Sequence, residues 1–354
     1  MKTPFAPAAA IACLALASQP ALPHAPATTT VQFDREIVRI LDNHCVGCHA
    51  EKTASFPLLT YEQTYLARWK IRQGVLARHM PPWAAVPGYG EFANDNALTQ
   101  REIDFLVSWA ESYGPRNNGE VYRGSTVQAP AKPVQARSDF ERWELGNPDV
   151  LLPIPASRIV DPKLKADRWL RGLEYKPADR RNVRAVSFRI QESGQWIGTW
   201  TPWYGFVSFP QGLALRLPAG SHVVAEADQG SVALYYAEKP SARPISNRVL
   251  EAKPAPGTPR KLVATMRLTE DASLLAVEPA IQRGVESIEV SARTPSGARQ
   301  VLLFAKDIPL DWPTPYVYRQ AVPLPKGTEL KVVEHYGTEV ASASVTLQVA
   351  APTK

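Results

Sequence analysis

Hydrophobic positions recur at helical spacing near the start of the chain. Phe33, Ile37, Ile40 and Leu41 fall on one helix face just ahead of a cysteine pair. Thr99-Gln-Arg-Glu102 is a capping-box signal. It opens a helix whose face carries Ile103, Leu106, Trp109 and Ala110, and Gly114-Pro115 ends it. Residues 117–139 are polar and contain proline, the texture of a linker. From Phe140 onward the pattern changes to short apolar runs separated by Pro, Gly, Asn and Asp. These runs are Val183–Ile190, Gly212–Leu217, Ser231–Tyr236, Ser287–Ala292 and Leu330–Glu334, and they predict strands. A Pro-rich stretch, Glu251–Pro259, reads as a break between two pieces, each the size of a β-sandwich. No repeat of fixed period is evident, which argues against a propeller or solenoid.

The expected organisation is therefore multidomain. A small all-α domain spans residues 28–116 and a linker spans 117–139. Two all-β sandwiches, jelly-roll-like, follow over 140–250 and 260–354. The 33 proline residues agree with turn-rich β-domains and linkers. The formal charge of +6 is not spread evenly, because residues 28–123 hold ten Lys/Arg against eleven Asp/Glu. The basic excess sits in the C-terminal two-thirds without a basic run interleaved with aromatics, so no nucleic-acid partner is expected.

The first 27 residues read as a secretory signal. Lys2 supplies the positive start, Ala8 to Ala17 form a short apolar stretch, and small residues follow. The run is too short to span a bilayer. Cleavage after Ala17 and cleavage near Ala27 both fit. The expectation is a periplasmic or otherwise exported protein with no integral membrane span once the signal is removed. Cys13 leaves with the signal, and the mature chain then keeps only Cys45 and Cys48.

Those two cysteines stand in Asn43-His44-Cys45-Val46-Gly47-Cys48-His49, which contains the C-x-x-C-H pattern of covalent haem attachment. Thiols three residues apart reach the two vinyl groups on one porphyrin edge, and the next imidazole then lies under the iron. A thioredoxin-like redox pair would need a βαβ context, which is missing. A zinc site would need a second ligand pair, and no second C-x-x-C exists. One covalent haem c is expected on Cys45 and Cys48, with His49 as proximal iron ligand. The distal ligand should be a soft neutral donor downstream. Met80, in Arg78-His79-Met80-Pro81-Pro82-Trp83, is the expected one, held on a stiff proline-bounded loop. His79 is its rival and would lower the reduction potential. Trp83 is expected to line the haem edge and to help close the small core, and His44 is expected to be exposed.

This stretch resembles class I cytochrome c. More narrowly, it resembles the cytochrome domain that precedes copper type II, ascorbate-dependent (peptidylglycine hydroxylating) monooxygenase-like domains. The residues carrying the likeness are Cys45–His49, Met80–Trp83, Tyr89-Gly-Glu-Phe92-Ala-Asn-Asp95 and the Leu98–Trp109 helix. The β-half resembles the two-sandwich core of those monooxygenases through Phe209–Ser221, Val301–Phe304, Pro309–Tyr316 and Leu324–Thr328. The resemblance implies two copper sites, one held by three His and one by two His and a Met. After residue 140 this chain has only His222, His335 and Met266. The segments matching the family's His positions read Arg184-Ala185, Asp228-Gln-Gly230 and Glu278-Pro-Ala-Ile281.

Copper is therefore not expected, and His222 and His335 read as surface strand residues. The aromatic segment Trp196–Phe206 reads either as a contact surface or as sandwich core and corner. The expected function is electron transfer by an exported c-type cytochrome, with redox proteins of the periplasm as partners. A copper-free monooxygenase-like module would serve docking or scaffolding. The alternative is an oxidoreductase that uses a rebuilt metal site.

Overall fold

The computed structural model describes residues 29–51, 53, 55–117, 143–227 and 229–352. The expected signal with Lys2 and Cys13, nearly all of the expected linker, and Asp228 lie outside the described residues. Among the described residues no helix is long and apolar enough to cross a membrane.

The chain is mostly β-sheet with a small helical part at its N-terminal end. A π-helical turn, Phe33–Ile37, leads into α1 (Val38–His44). α2 spans Tyr61–Leu76 and α3 spans Gln100–Glu111. Each of the two longer helices begins in a complete capping box, Thr60 with Gln63 and Thr99 with Glu102. The three helices bury a core of their own around Phe33, Leu41, Ile71, Leu106 and Trp109.

The strands are β1 (Val150–Pro153), β2 (Ile159–Val160), β3 (Arg168–Pro177), β4 (Val186–Ile190), β5 (Trp196–Trp200), β6 (Phe206–Ser208), β7 (Leu213–Leu217), β8 (Val223–Ala225) and β9 (Gly230–Tyr236). They continue as β10 (Arg243–Ala255), β11 (Thr258–Arg267), β12 (Ala272–Pro279), β13 (Val285–Arg293), β14 (Arg299–Lys306), β15 (Tyr316–Leu324), β16 (Glu329–Tyr336) and β17 (Ala343–Ala350). Two separate β cores exist. In the first, the β2-β8-β4-β5 sheet faces β1-β9-β3-β7 across Leu173, Phe188, Leu215 and Val223. In the second, β10, β12, β15 and β17 face β11-β16-β13-β14 across Leu262, Val290, Leu302 and Leu347.

Two features differ from the sequence expectation. The Pro-rich stretch Glu251–Pro259 is not a break. It is the hairpin end of two long strands, with Gly257 at φ +71 in the turn. β10 pairs in parallel with β7 near its start and antiparallel with β17 over Ile245–Ala252. One strand thus threads both β units, and its Pro254 sits at the register irregularity beside the turn.

The second difference concerns residues 83–94, expected within the helical domain. They form a strap on the second β unit. Ala85 bridges Ala305, and Phe92 bridges Tyr318. Val86 N–H donates to the Phe304 carbonyl at 2.8 Å, and Ala93 N–H donates to the Val317 carbonyl at 2.7 Å. Ala85 and Phe92 are buried in the second β core, with Trp83 packed against it.

Candidate functional site

α1 ends at the cysteine pair. The N–H groups of Cys45 and Val46 both donate to the Leu41 carbonyl, so the helix closes on an α-type bond followed by a wider, π-type one. The N–H groups of Cys48 and His49 then both donate to the Cys45 carbonyl, at 3.0 and 2.9 Å. This turn carries Cys45, Cys48 and His49 onto the wall of one cavity of about 370 Å³. Both cysteines are free thiols. Burial pushes each up to about 12, so neither is an activated thiolate nucleophile.

His49 is buried and oriented. Its Nδ1 lies 2.8 Å from the Phe56 carbonyl, which makes Nδ1–H the donor and leaves Nε2 as a free lone pair. Burial lowers its pKa, opposed by the bond to Phe56, so the neutral, ligating form is favoured.

Met80 faces the same cavity. The chain leaves α2 through Arg78, which has φ +54. The N–H groups of His79 and Met80 both turn back to the Gly74 carbonyl. A Cβ on Gly74 would stand 3.6 Å from the Met80 Cβ, so Met80 rests directly on the helix there. His79 is not among the cavity-lining residues. The structure therefore brings together Cys45, Cys48, His49 and Met80.

The opposite wall comes from the β-half. Arg180, in a 3₁₀ turn, donates from Nη2 to the Gly47 carbonyl at 2.7 Å. Burial lowers its pKa from the ordinary arginine value, opposed by Cys48. Gly47 itself meets the first β unit, since a Cβ there would come within 2.8 Å of the Pro202 carbonyl oxygen. Trp200, Pro202 and Trp312 also line the cavity. On its rim, Arg184 pairs with Asp311 at 2.5 Å and lies over the Trp312 ring.

No protein-family model and no curated protein matches this chain. Among solved structures, the major capsid protein P2 of bacteriophage PM2 overlaps 58% of this chain and 98% of its own. The identity is 11% and the TM-score is 0.32. The turret protein A223 of Sulfolobus turreted icosahedral virus overlaps 57% and 97% at a TM-score of 0.19 and 11% identity. An isomaltodextranase of Arthrobacter globiformis T6 overlaps 89% and 48% at a TM-score of 0.20 and 11% identity. Likenesses this slight carry no argument about function.

Two expectations near the cavity need correction. Trp83 does not line it. Its ring packs against Phe92 and Tyr316, at 5.9 and 5.3 Å, in the second β core. His44 is largely covered, with Nδ1 3.3 Å from the Asn96 carbonyl and Nε2 3.3 Å from Glu102. The aromatic segment supplies core and corner. Trp196 and Trp200 are buried, whereas the Trp203 indole donates to the Asn94 carbonyl of the strap at 3.2 Å.

Arg180, Trp200 and Trp312 were missed as wall residues, because nothing local in sequence ties them to a motif more than a hundred residues away.

The remaining metal-type donors lie apart. His222 precedes β8 and meets Glu192 at 2.7 Å. His335 is exposed on β16 opposite Lys261, and Met266 on β11 lies opposite Leu330, five rungs along the same ladder. Among the described residues no group of three His, Cys, Asp or Glu side chains converges as a metal site. Glu278, in one of the segments matched to the family's His positions, is buried between the two β units. There it accepts from Arg189 Nη2 at 2.6 Å, Ser187 Oγ at 3.2 Å and Thr199 Oγ1 at 3.3 Å.

Proposed function

We propose that this chain is an exported c-type cytochrome, working in electron transfer with redox proteins of the periplasm. The observation that carries the reading is the single cavity faced by Cys45, Cys48, His49 and Met80, with His49 held through Nδ1 so that Nε2 is free to ligate. The donor set fits haem c. Two protonated thiols on the cavity wall can form thioethers, a neutral imidazole suits the iron, and a thioether sulfur can close the sixth position. When bound, the haem supplies a one-electron iron couple.

The chain's own residues do the rest. The Phe56 carbonyl fixes the His49 tautomer and raises its basicity as a ligand. Gly74 and the two prolines after Met80 hold the sulfur side of the cavity. Trp200, Pro202 and Trp312 exclude water from the attachment side. Arg180 adds a half-buried positive charge that favours the reduced, less positive state.

In this reading residues 28–116 form a class I cytochrome domain. The jelly-roll-like β-half is a monooxygenase-like module without copper, retained for docking or scaffolding. Separation of His222, His335 and Met266 supports the copper-free reading, as does the use of Glu278 in an interface seam. Intact mass is the direct test. The processed polypeptide should gain one haem that acid-acetone does not extract. Extractable haem, or a coloured protein surviving Cys45→Ala with Cys48→Ala, overturns the reading.

A further inference from the structure

A second cavity, of about 350 Å³, lies in the seam between the two β units and shares no lining residue with the cysteine cavity. The first unit supplies Tyr204, β6 and Phe209, the second supplies β15 and Gln348 of β17, and the strap adds Ala93. Two glycines fix the wall on the first unit. A Cβ on Gly198 would stand 2.5 Å from Val207 Cγ2, and one on Gly172 would stand 3.0 Å from the Val207 carbonyl oxygen, so β6 is wedged between them. The seam is stitched at the cavity wall, where Gln348 Nε2 donates to the Ile197 carbonyl and Asn247 Nδ2 to the Trp196 carbonyl, both at 3.1 Å. No described residue of the segments matched to the family's His positions lines this cavity.

The lining is aromatic, with a few polar groups left unspent. Trp196, Phe206, Phe209 and Tyr318 supply the rings. Thr199 and Gln348 are already bonded within the protein. The Tyr204 and Ser208 hydroxyls and the Arg319 guanidinium have no hydrogen-bond or ion-pair partner among the described residues. Burial raises the Tyr204 pKa, which keeps that hydroxyl protonated and able to donate. Arg319 is the one charged residue of the described lining, and no carboxylate stands with it. A lone exposed arginine would mean little. Here it lines an aromatic cavity between two units, together with two unspent hydroxyls, which is the composition of a small-molecule site.

We propose that this cavity binds a small aromatic monocarboxylate, with its ring against the aromatic side chains, its carboxylate on Arg319, and Tyr204 and Ser208 as hydroxyl partners. Aromatic walls favour a ring through offset and edge contacts. The planar guanidinium matches a carboxylate in a two-point contact. A cationic ligand would meet Arg319 with no acid to offset it, and a wholly apolar ligand would cover three polar groups without pairing them. The site stands apart from the haem reading. Its walls come from both β units, so an occupant also holds the two units together.

The test is titration calorimetry on the full chain, at whatever haem content it is isolated with, using 4-hydroxycinnamate as the probe. One molecule should bind per chain, with a Kd of about 100 µM or tighter. Arg319→Gln should weaken binding at least tenfold and Tyr204→Phe at least threefold. Ala321→Trp fills the cavity from an exposed lining position and should abolish binding. Arg319 and Ala321 are both exposed, so these variants keep the fold, which an unchanged urea midpoint verifies. The neutral amide of the probe, and octanoate, should each bind at least tenfold more weakly than the probe. No heat of binding at about 1 mM probe, or binding that survives Ala321→Trp, overturns the site. Equal affinity for the amide, or an Arg319→Gln variant that binds as well as the parent, overturns the carboxylate assignment, and equal affinity for octanoate overturns the aromatic one. None of these outcomes touches the haem reading, which intact mass decides separately.

Discussion

Replacing Asn94 with alanine should loosen the helical unit from the second β unit. Asn94 is 2% exposed and sits in the strap. Its Nδ2 donates to the Pro315 carbonyl at 2.6 Å, and its Oδ1 accepts the Val317 N–H at 3.0 Å. Alanine removes both bonds and leaves a buried carbonyl and a buried N–H without partners. Each such orphan costs about 1–3 kcal/mol, so the expected loss is about 2–6 kcal/mol. The main-chain carbonyl of the same residue accepts from the Trp203 indole, so a strap that shifts also releases a corner of the first β unit. Urea denaturation of the holoprotein, followed by tryptophan fluorescence and by visible absorbance, measures the effect. With an m-value near 3 kcal/mol/M, the midpoint should fall by about 0.7–2 M. Asn94→Asp keeps the acceptor but turns a second oxygen on the Pro315 carbonyl, and should be at least as damaging. A midpoint shift below about 0.3 M in both variants would mean that the strap is not an energetic link between the two units.

Met80→Ala should abolish the weak near-infrared band of sulfur-to-iron ligation and lower the reduction potential, whereas His79→Ala should leave both in place; the opposite pattern makes His79 the ligand. Glu334 is buried on β16 and its pKa is raised to about 7 by burial, opposed by the hydrogen bond from the Tyr336 hydroxyl. Its folded pKa lies above the ordinary glutamate value, so stability present near pH 4 is lost as pH rises toward 7. Glu334→Gln should then stabilise the protein at pH 8 by on the order of 2 kcal/mol and flatten the pH dependence of Tm between about 5 and 7. The full chain, loaded with copper and dialysed against a weak chelator, should keep less than one copper per chain and hydroxylate no peptide in the presence of ascorbate; stoichiometric copper with hydroxylation would restore the enzyme alternative.

Parts of this structure are legible along the chain, and the illegible parts have physical causes. Phe33, Ile37, Ile40 and Leu41 point to the first helical segment because one face is buried and the other is wet. The same rule hides α2. Ala67, Ile71 and Val75 face the helical core while Leu66, Trp69 and Leu76 face solvent, so no single apolar stripe stands out. The available signal was Thr60-x-x-Gln63, a capping box as complete as the one at Thr99. The runs at 183–190, 212–217, 231–236, 287–292 and 330–334 all lie on or overlap strands, since alternation survives wherever one sheet face is buried. Prolines misled at 251–259 because a long hairpin can carry them where its ladder is irregular. The strap at 83–94 has no period of its own, and its partners, Phe304 and Val317, lie more than two hundred residues downstream.

The site divides along the same line. The C-x-x-C-H motif is local, so its residues can be named from spacing alone. The cavity is not local. Arg180 and Gly47 are 133 positions apart, and their bond forms only because the first β unit rests on the cysteine turn. That contact leaves no room for a side chain at position 47, where a Cβ would press on the Pro202 carbonyl. In the haem reading this couples the two halves energetically. Whatever stabilises the filled cavity also stabilises the seating of the β-half, and a partner engaging the β-half changes the environment of Arg180 and Trp200. Linkage makes the coupling reciprocal, so a ligand of the β-half that shifts the reduction potential must bind one oxidation state more tightly than the other. In the haem reading the β-half can therefore bear on electron transfer through the wall it lends to the cavity.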